Sequence, residues 1–226
     1  MQIYHIIKKS GEDTDFRSVM LHMLQRIQRL EYEHPDQLDI KIYLASGFFN
    51  VNVVPPKTDV LNYIDPISKA TLLKLLAGLN VEIFGAYSGS KDLKLLKSLL
   101  SPIAKTLKVY YKYRFHTKLF VITINNIPVF EIIGSSNMTI PAYEGLQYSS
   151  KGISSLSLNT ETDLILYNNE FSLNGLDNVL GNNIRIERNV MRFEYIDEDN
   201  DNITFVDRMK DIVNYLETLK TKMTSL

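Results

Sequence analysis

The chain has 226 residues, 45% of them hydrophobic, and 25 basic against 26 acidic side chains give it a formal net charge of −1. That is enough apolar material for one sizeable core, and the balanced charge excludes a uniformly basic polyanion binder, so any such site must be a local patch. The absence of cysteine excludes a disulfide framework, Cys-ligated zinc and thiol nucleophiles. With no signal-peptide pattern in residues 1–20 and no apolar run of membrane-spanning length, a cytoplasmic protein with no membrane segment is expected.

The pattern predicts a first strand at Gln2–Ile7, then a helix carrying Phe16, Val19, Met20, Met23, Leu24, Ile27 and Leu30 at three- and four-residue spacing, with Asp13 or Asp15 as its cap. Leu38–Ala45 reads as a strand, Pro55-Pro56 as a loop, Ser68–Leu79 as a second amphipathic helix and Val81–Ala86 as a buried strand. A third helix is expected at Lys91–Leu100. Three strands follow at Lys108–Tyr113, Lys118–Ile124 and Val129–Gly134, the last two joined by a hairpin turn at Asn125–Pro128. Ser149–Asn159 is the most loop-like stretch, and Asp197–Asp201 reads as a solvated acidic turn. Glu161–Tyr167 reads as a strand, and Phe205–Leu219 as a closing helix. Strand and helix alternate early and strands cluster in the middle, which argues for an α/β fold with a mixed central sheet flanked by helices. One domain over 1–226 is expected, with residues after about 170 as a candidate small helical appendage.

Residues 93–130 contain no Asp or Glu but carry Lys94, Lys97, Lys105, Lys108, Lys112, Arg114 and Lys118, with Tyr110, Tyr111 and Tyr113 interleaved. On one strand Lys108, Tyr110, Lys112 and Arg114 would point the same way. Such a stripe suits a phosphate backbone, and it equally suits an ordinary solvated face.

Three short motifs carry chemistry. In His116-Thr117-Lys118 an imidazole and an ammonium at i and i+2 share a strand face. The imidazole can attack phosphorus or donate a proton, and the ammonium can neutralise a phosphate oxygen. Gly134-Ser135-Ser136-Asn137 ends an apolar strand; the glycine admits a close ligand, while the hydroxyls and amide can donate to phosphate oxygens. The same residues also suit a helix cap. In Asn159-Thr160-Glu161 a carboxylate can orient an imidazole. Each motif alone is common.

In this order, HTKLFVITINNIPVFEIIGSSNMT followed by NTETDLILY resembles the phospholipase D superfamily, whose signature is His-x-Lys, an Asp five residues on, Gly-Ser-x-Asn, and a later Asn-x-Glu. His116, Lys118, Gly134, Ser135, Asn137 and Glu161 match, and the wording around them is similar to the nuclease branch, including its metal-independent restriction endonucleases. Thr123 stands where that signature has its Asp, and the interval from Lys118 to Gly134 is longer than usual.

The resemblance implies a phospholipase D-like α/β/α sandwich and metal-independent cleavage of DNA through a phosphohistidine, with no cofactor. His116, Lys118, Asn137, Glu161 and Ser135 are then the catalytic set, and Lys108, Lys112, Arg114, Tyr113 and Ser136 the substrate-binding set. The other histidines, His5, His22 and His34, lack the Lys partner. A homodimer with one shared site is therefore expected. A phospholipid or other phosphodiester hydrolase or transferase, and a non-catalytic nucleic-acid- or protein-binding dimer, are the alternatives.

Overall fold

Runs such as Leu119–Ile124 are apolar at successive positions, which marks strands covered on both faces. In the computed structural model all six residues of that run are buried. The structure describes residues 2–8, 15–35, 37–47, 73–87, 89–134, 146–149, 152–156, 161–168, 190–194 and 205–226. The expected features at Asp13, Pro55-Pro56, 68–72 and Asp197–Asp201 lie outside them.

The strands are β1 (Gln2–Lys8), β2 (Ile40–Ala45), β3 (Asn80–Gly85), β4 (Thr106–Tyr111), β5 (Leu119–Ile124), β6 (Ile127–Gly134), β7 (Leu146–Ser149), β8 (Gly152–Leu156), β9 (Glu161–Tyr167), β10 (Val190–Glu194) and β11 (Thr224–Ser225). The helices are α1 (Asp15–Glu33), α2 (Lys91–Leu100) and α3 (Phe205–Lys220). Nine strands form one sheet in the order β10-β1-β9-β6-β5-β2-β3-β4-β11. β2, β3 and β4 are parallel, and every other pairing is antiparallel. The parallel part needs crossovers, and α2 between β3 and β4 is one of them.

Alternation along the strands divides the core into two layers. Met20, Met23, Leu24 and Ile27 of α1, with Leu93, Leu96 and Leu100 of α2, cover Ile42, Ile83, Phe120, Ile122 and Ile132 on one face. Leu216 and Leu219 of α3 cover Tyr43, Phe84, Leu119 and Val121 on the other. The mixed sheet with flanking helices is thus the architecture expected from the sequence. Among the described residues no helix is long and apolar enough to cross a membrane.

A polar cluster ties α3 down. Glu82, nearly buried, meets Lys220 Nζ at 2.5 Å and Lys108 Nζ at 3.6 Å. Lys220 also meets Glu217 at 2.6 Å, and the Tyr43 hydroxyl donates to Glu217 at 3.0 Å. Burial, then the Glu217 charge, raises the Tyr43 phenol above its ordinary pKa. Burial alone would raise Glu217, but hydrogen bonds from Lys220 and Tyr43 win and hold it below the usual carboxylate range.

Four expectations change. Ser149–Asn159 is not all loop, because Gly152–Leu156 pairs with Leu146–Ser149 and sets Leu146 opposite Leu156 and Tyr148 opposite Ile153. This backbone pairing makes a hairpin that the run of serines obscured. The basic strand runs from Thr106 to Tyr111, not from Lys108 to Tyr113. The hairpin turn is only Asn125-Asn126, with φ of 52° and 63°, the left-handed pair that a two-residue turn requires. Pro128 lies inside β6 beside a register shift at Ile122/Thr123, where a missing N–H is tolerated. Finally, β10 and β11 were not expected; they extend the sheet beside β1 and beside β4.

Glu131 lies opposite Val121 and Leu166 in mid-sheet, fully buried. Neither of its oxygens has a hydrogen-bond partner among the described residues. Burial pushes its carboxyl up to about 9, so at neutral pH it is protonated. A native pKa above the unfolded one favours folding fully below the unfolded value and loses that contribution as pH rises through the native value. Thermal unfolding should therefore show the wild-type midpoint falling between pH 5 and 9, while Glu131→Gln flattens that fall. Equal slopes for the two proteins would contradict the assignment.

Candidate active site

The strand directions put the ends of β2, β3, β4 and β6 and the starts of β5 and β9 at one end of the sheet. His116 and Lys118 lead into β5, Gly134 ends β6 and Glu161 opens β9, so three neighbouring strands deliver the motifs to one place. The backbone fixes this. The Gly134 N–H donates to the Lys118 carbonyl at 3.4 Å, and Gly134 is also the register partner of Asp163. Glu161 lies two residues before Asp163 and opposite Lys8 of β1.

The approach to His116 is built from loops. The Lys112 N–H donates to Gly85 O at 2.8 Å, which carries the β3–β4 pairing past the strand end. The Arg114 N–H donates to Tyr87 O at 3.0 Å, and the Tyr87 N–H to Gly47 O at 2.6 Å. Arg114 has φ of 60°, and the reversal closes with Phe115 N–H donating to Lys112 O at 3.3 Å. A left-handed residue there swings the chain so that Phe115 enters the core under α3 while His116 stays exposed.

His116 is held on two sides. Its ring stands edge-to-face with the Tyr87 ring, with centroids 4.9 Å apart at 83°. Lys118 Nζ sits 2.7 Å from His116 Nδ1 and 2.8 Å from the His116 carbonyl oxygen. An ammonium can only donate, so Nδ1 accepts and this geometry assigns the imidazole proton to Nε2. The ring as it stands is a donor at Nε2. It can attack phosphorus only after the proton moves to Nδ1, which requires Lys118 to turn away. On the far side of the segment, the Thr117 hydroxyl lies 3.5 Å from the Tyr215 hydroxyl of α3.

The other expected residues fall into three groups. Ser135, Ser136 and Asn137 directly follow Gly134 and lie outside the described residues, and for Glu161 only the backbone is described. Lys112, Tyr113 and Arg114 are exposed on the segment entering His116, with the Arg114 guanidinium 5.4 Å from the Tyr113 ring centre. Lys108 does not continue their stripe: β4 ends at Tyr111, the exposed Lys108 side chain turns to Glu82 at 3.6 Å, and Tyr110 stacks on Phe84. The one-face basic stripe is therefore corrected to two separate groups.

Thr123 is buried, opposite Lys41 of β2 and Pro128 of β6. It lies five residues beyond Lys118, roughly 16 Å along the strand at ~3.3 Å per residue. A side chain there cannot touch a phosphate held by Lys118, so the departure from the signature removes no ligand. Two residues were missed. Asp163, only 4% exposed, lies directly across from Gly134; an Asp inside an apolar run, two residues after Glu161, was its signal. Tyr87 had none, because its contact comes from a loop distant in sequence. Among the described residues no three His, Asp or Glu side chains group as metal ligands.

No family model matches the chain, and no curated protein does. Among solved structures the chain is similar to phosphatidylserine synthase of Haemophilus influenzae Rd KW20, at 13% identity and a TM-score of 0.43, over 98% of this chain and 46% of that one. It is similar to NucT from Helicobacter pylori at 15% identity and a TM-score of 0.35, over 76% and 93% of the two chains. It is similar to yeast tyrosyl-DNA phosphodiesterase at 8% and 0.37, over 73% and 47%. The chain thus spans under half the length of the first and third of these proteins.

Exposure separates side chains open to solvent from those that hold the sheet together. His116→Ala and Lys118→Met should change unfolding free energy by less than about 1 kcal/mol, whereas Asp163→Ala should cost about 2–3 kcal/mol. Urea unfolding of the three variants checks this; a large loss for His116→Ala would make it a structural residue.

Proposed function

We propose that the protein is a phosphodiesterase acting on DNA without a metal ion, an endonuclease of restriction type, and that residues 1–226 form one catalytic domain of the phospholipase D kind. The observation that carries the reading is the His116–Lys118 pair at the sheet end where Gly134 and Glu161 also arrive.

In this reading a phosphate oxygen draws the Lys118 ammonium away from Nδ1. The imidazole then takes the tautomer with its proton on Nδ1, which the Glu161 carboxylate orients, and Nε2 is free to attack phosphorus. The P–N bond forms as the P–O bond to the leaving oxygen breaks. His116 of a second copy, protonated, supplies the proton to that oxygen. The same ring next removes a proton from water, and the hydroxide displaces Nε2 from phosphorus. Lys118, Asn137 and Ser135 from both copies hold the non-bridging oxygens, whose charge grows in each transition state. Lys112, Tyr113, Arg114 and Ser136 border the path of the strand. The single motif in each chain makes a two-fold dimer the natural way to place two imidazoles on one phosphorus.

Plasmid nicking in EDTA, followed on a gel, tests the activity. The wild type should cleave, and His116→Ala should be at least ~10³-fold slower. Acid-labile phosphate on His116 should be trapped by rapid quenching. Mixed dimers of wild type with His116→Ala should be inactive. Full dependence on added divalent metal, or cleavage of choline phospholipids with none of DNA, would overturn the reading.

A further inference from the structure

The phosphodiesterase reading leaves one close contact of His116 unused. Tyr87 belongs to the loop after β3, far in sequence from the motif, yet its ring meets the imidazole edge-to-face at 4.9 Å. We propose that Tyr87 is a positioning residue for His116, fixing the plane of the imidazole so that Nδ1 faces inward and Nε2 faces the phosphorus. The proposal rests on the reading above for its kinetic consequence, but not for its structural one.

Three observations support it. The first is that Tyr87 stands on a fixed base. Its N–H donates to Gly47 O at 2.6 Å and its carbonyl accepts from Arg114 N–H at 3.0 Å, so the loops after β2, β3 and β4 are joined through this one residue. The second is that His116 is exposed. An exposed imidazole rotates between rotamers unless something packs on it, and a nucleophile must be held within a narrow range of approach. The third is that Lys118 restrains the ring through Nδ1. When Lys118 turns to a phosphate, that restraint is lost at the moment when orientation matters most. The Tyr87 ring, whose contact involves no proton that the reaction moves, persists through that change. Edge-to-face pairs are strong enough to bias a rotamer several-fold.

A rival role is separable. Tyr87 is 38% exposed, so it could instead stack on a substrate base, which would act on KM. Positioning acts on kcat.

The experiment uses the full chain with Tyr87→Ala, Tyr87→Leu and Tyr87→Phe. Imidazole nitrogen-15 shifts of His116, read above its titration without substrate, report the tautomer. Wild type and Tyr87→Phe should show predominantly the Nε2–H form, and the Ala and Leu variants a mixture. With a DNA oligonucleotide substrate, kcat should fall ~3- to 10-fold in the Ala and Leu variants with KM within ~2-fold, and Tyr87→Phe should restore it. If Ala unfolds the chain, Leu and Phe carry the comparison. An unchanged tautomer with unchanged kcat, or an effect confined to KM, overturns the proposal. Absence of cleavage by the wild type would overturn the phosphodiesterase reading instead, and the nitrogen shifts would still decide the role of Tyr87.

Discussion

The site depends on one hydrogen-bonded row across three strands. The Gly134 N–H reaches the Lys118 carbonyl, and Gly134 in turn pairs with Asp163. This fixes how far β5, β6 and β9 project at their shared end. A slip of one residue in either pairing would turn every side chain of a strand to the other face. The slip is prevented elsewhere, by Phe120, Ile122, Phe130, Ile132, Ile165 and Tyr167, which must all lie in the layer under α1 and α2. A site of exposed polar residues is thus set by apolar residues that never touch it.

Charge is buried on the other face of the same sheet. Glu82 meets two ammonium groups there, whereas Glu131, one of the central residues, meets none among the described residues and stays protonated. The two carboxyls show how position decides cost. At β3, the lysines of α3 and β4 meet the carboxylate as ion pairs. At β6 no cation arrives, and burial moves the pKa instead. Lys220 serves both Glu82 and Glu217 while its ammonium lies over the Tyr43 and Tyr110 rings. This clamp is what holds α3, and with it Tyr215, beside the segment that carries Thr117.

Much of this was legible beforehand, and the misses share a cause. The interior strands β2, β3, β5, β6 and β9 and the helices α1 and α2 announce themselves because a buried face forces apolar spacing. β8, β10 and β11 do not. Gly152–Leu156 is mostly glycine and serine, Thr224–Ser225 is two polar residues, and each exists because a partner strand offers hydrogen bonds. Pairing of that kind leaves almost no trace in one strand's own sequence. The site divides in the same way. His116, Lys118 and Glu161 could be found because strand spacing is local. Asp163 left only the trace of an acid inside an apolar run, and Tyr87 left none, because register and loop packing bring them there.

The same distinction bears on Thr123. Read as a string, the missing Asp weakens the whole motif, since it stands among letters that act together. Read in the fold, it belongs to a different part of the molecule. Residue 123 lies toward the other end of β5, buried beside Lys41 and Pro128, at a bulge. What a residue can do there is satisfy or strain the sheet interior. His116 and Lys118 stand at the opposite end of that strand, where Gly134 and Glu161 also arrive. The hydrogen bond between His116 and Lys118 is also informative. With Lys118 on Nδ1, the imidazole offers a proton at Nε2 rather than a lone pair. An anion that competes for the ammonium would undo that arrangement and be bound by the same movement. Under the proposed function, recognition of the phosphate and activation of the nucleophile would then be one event, driven by a single lysine.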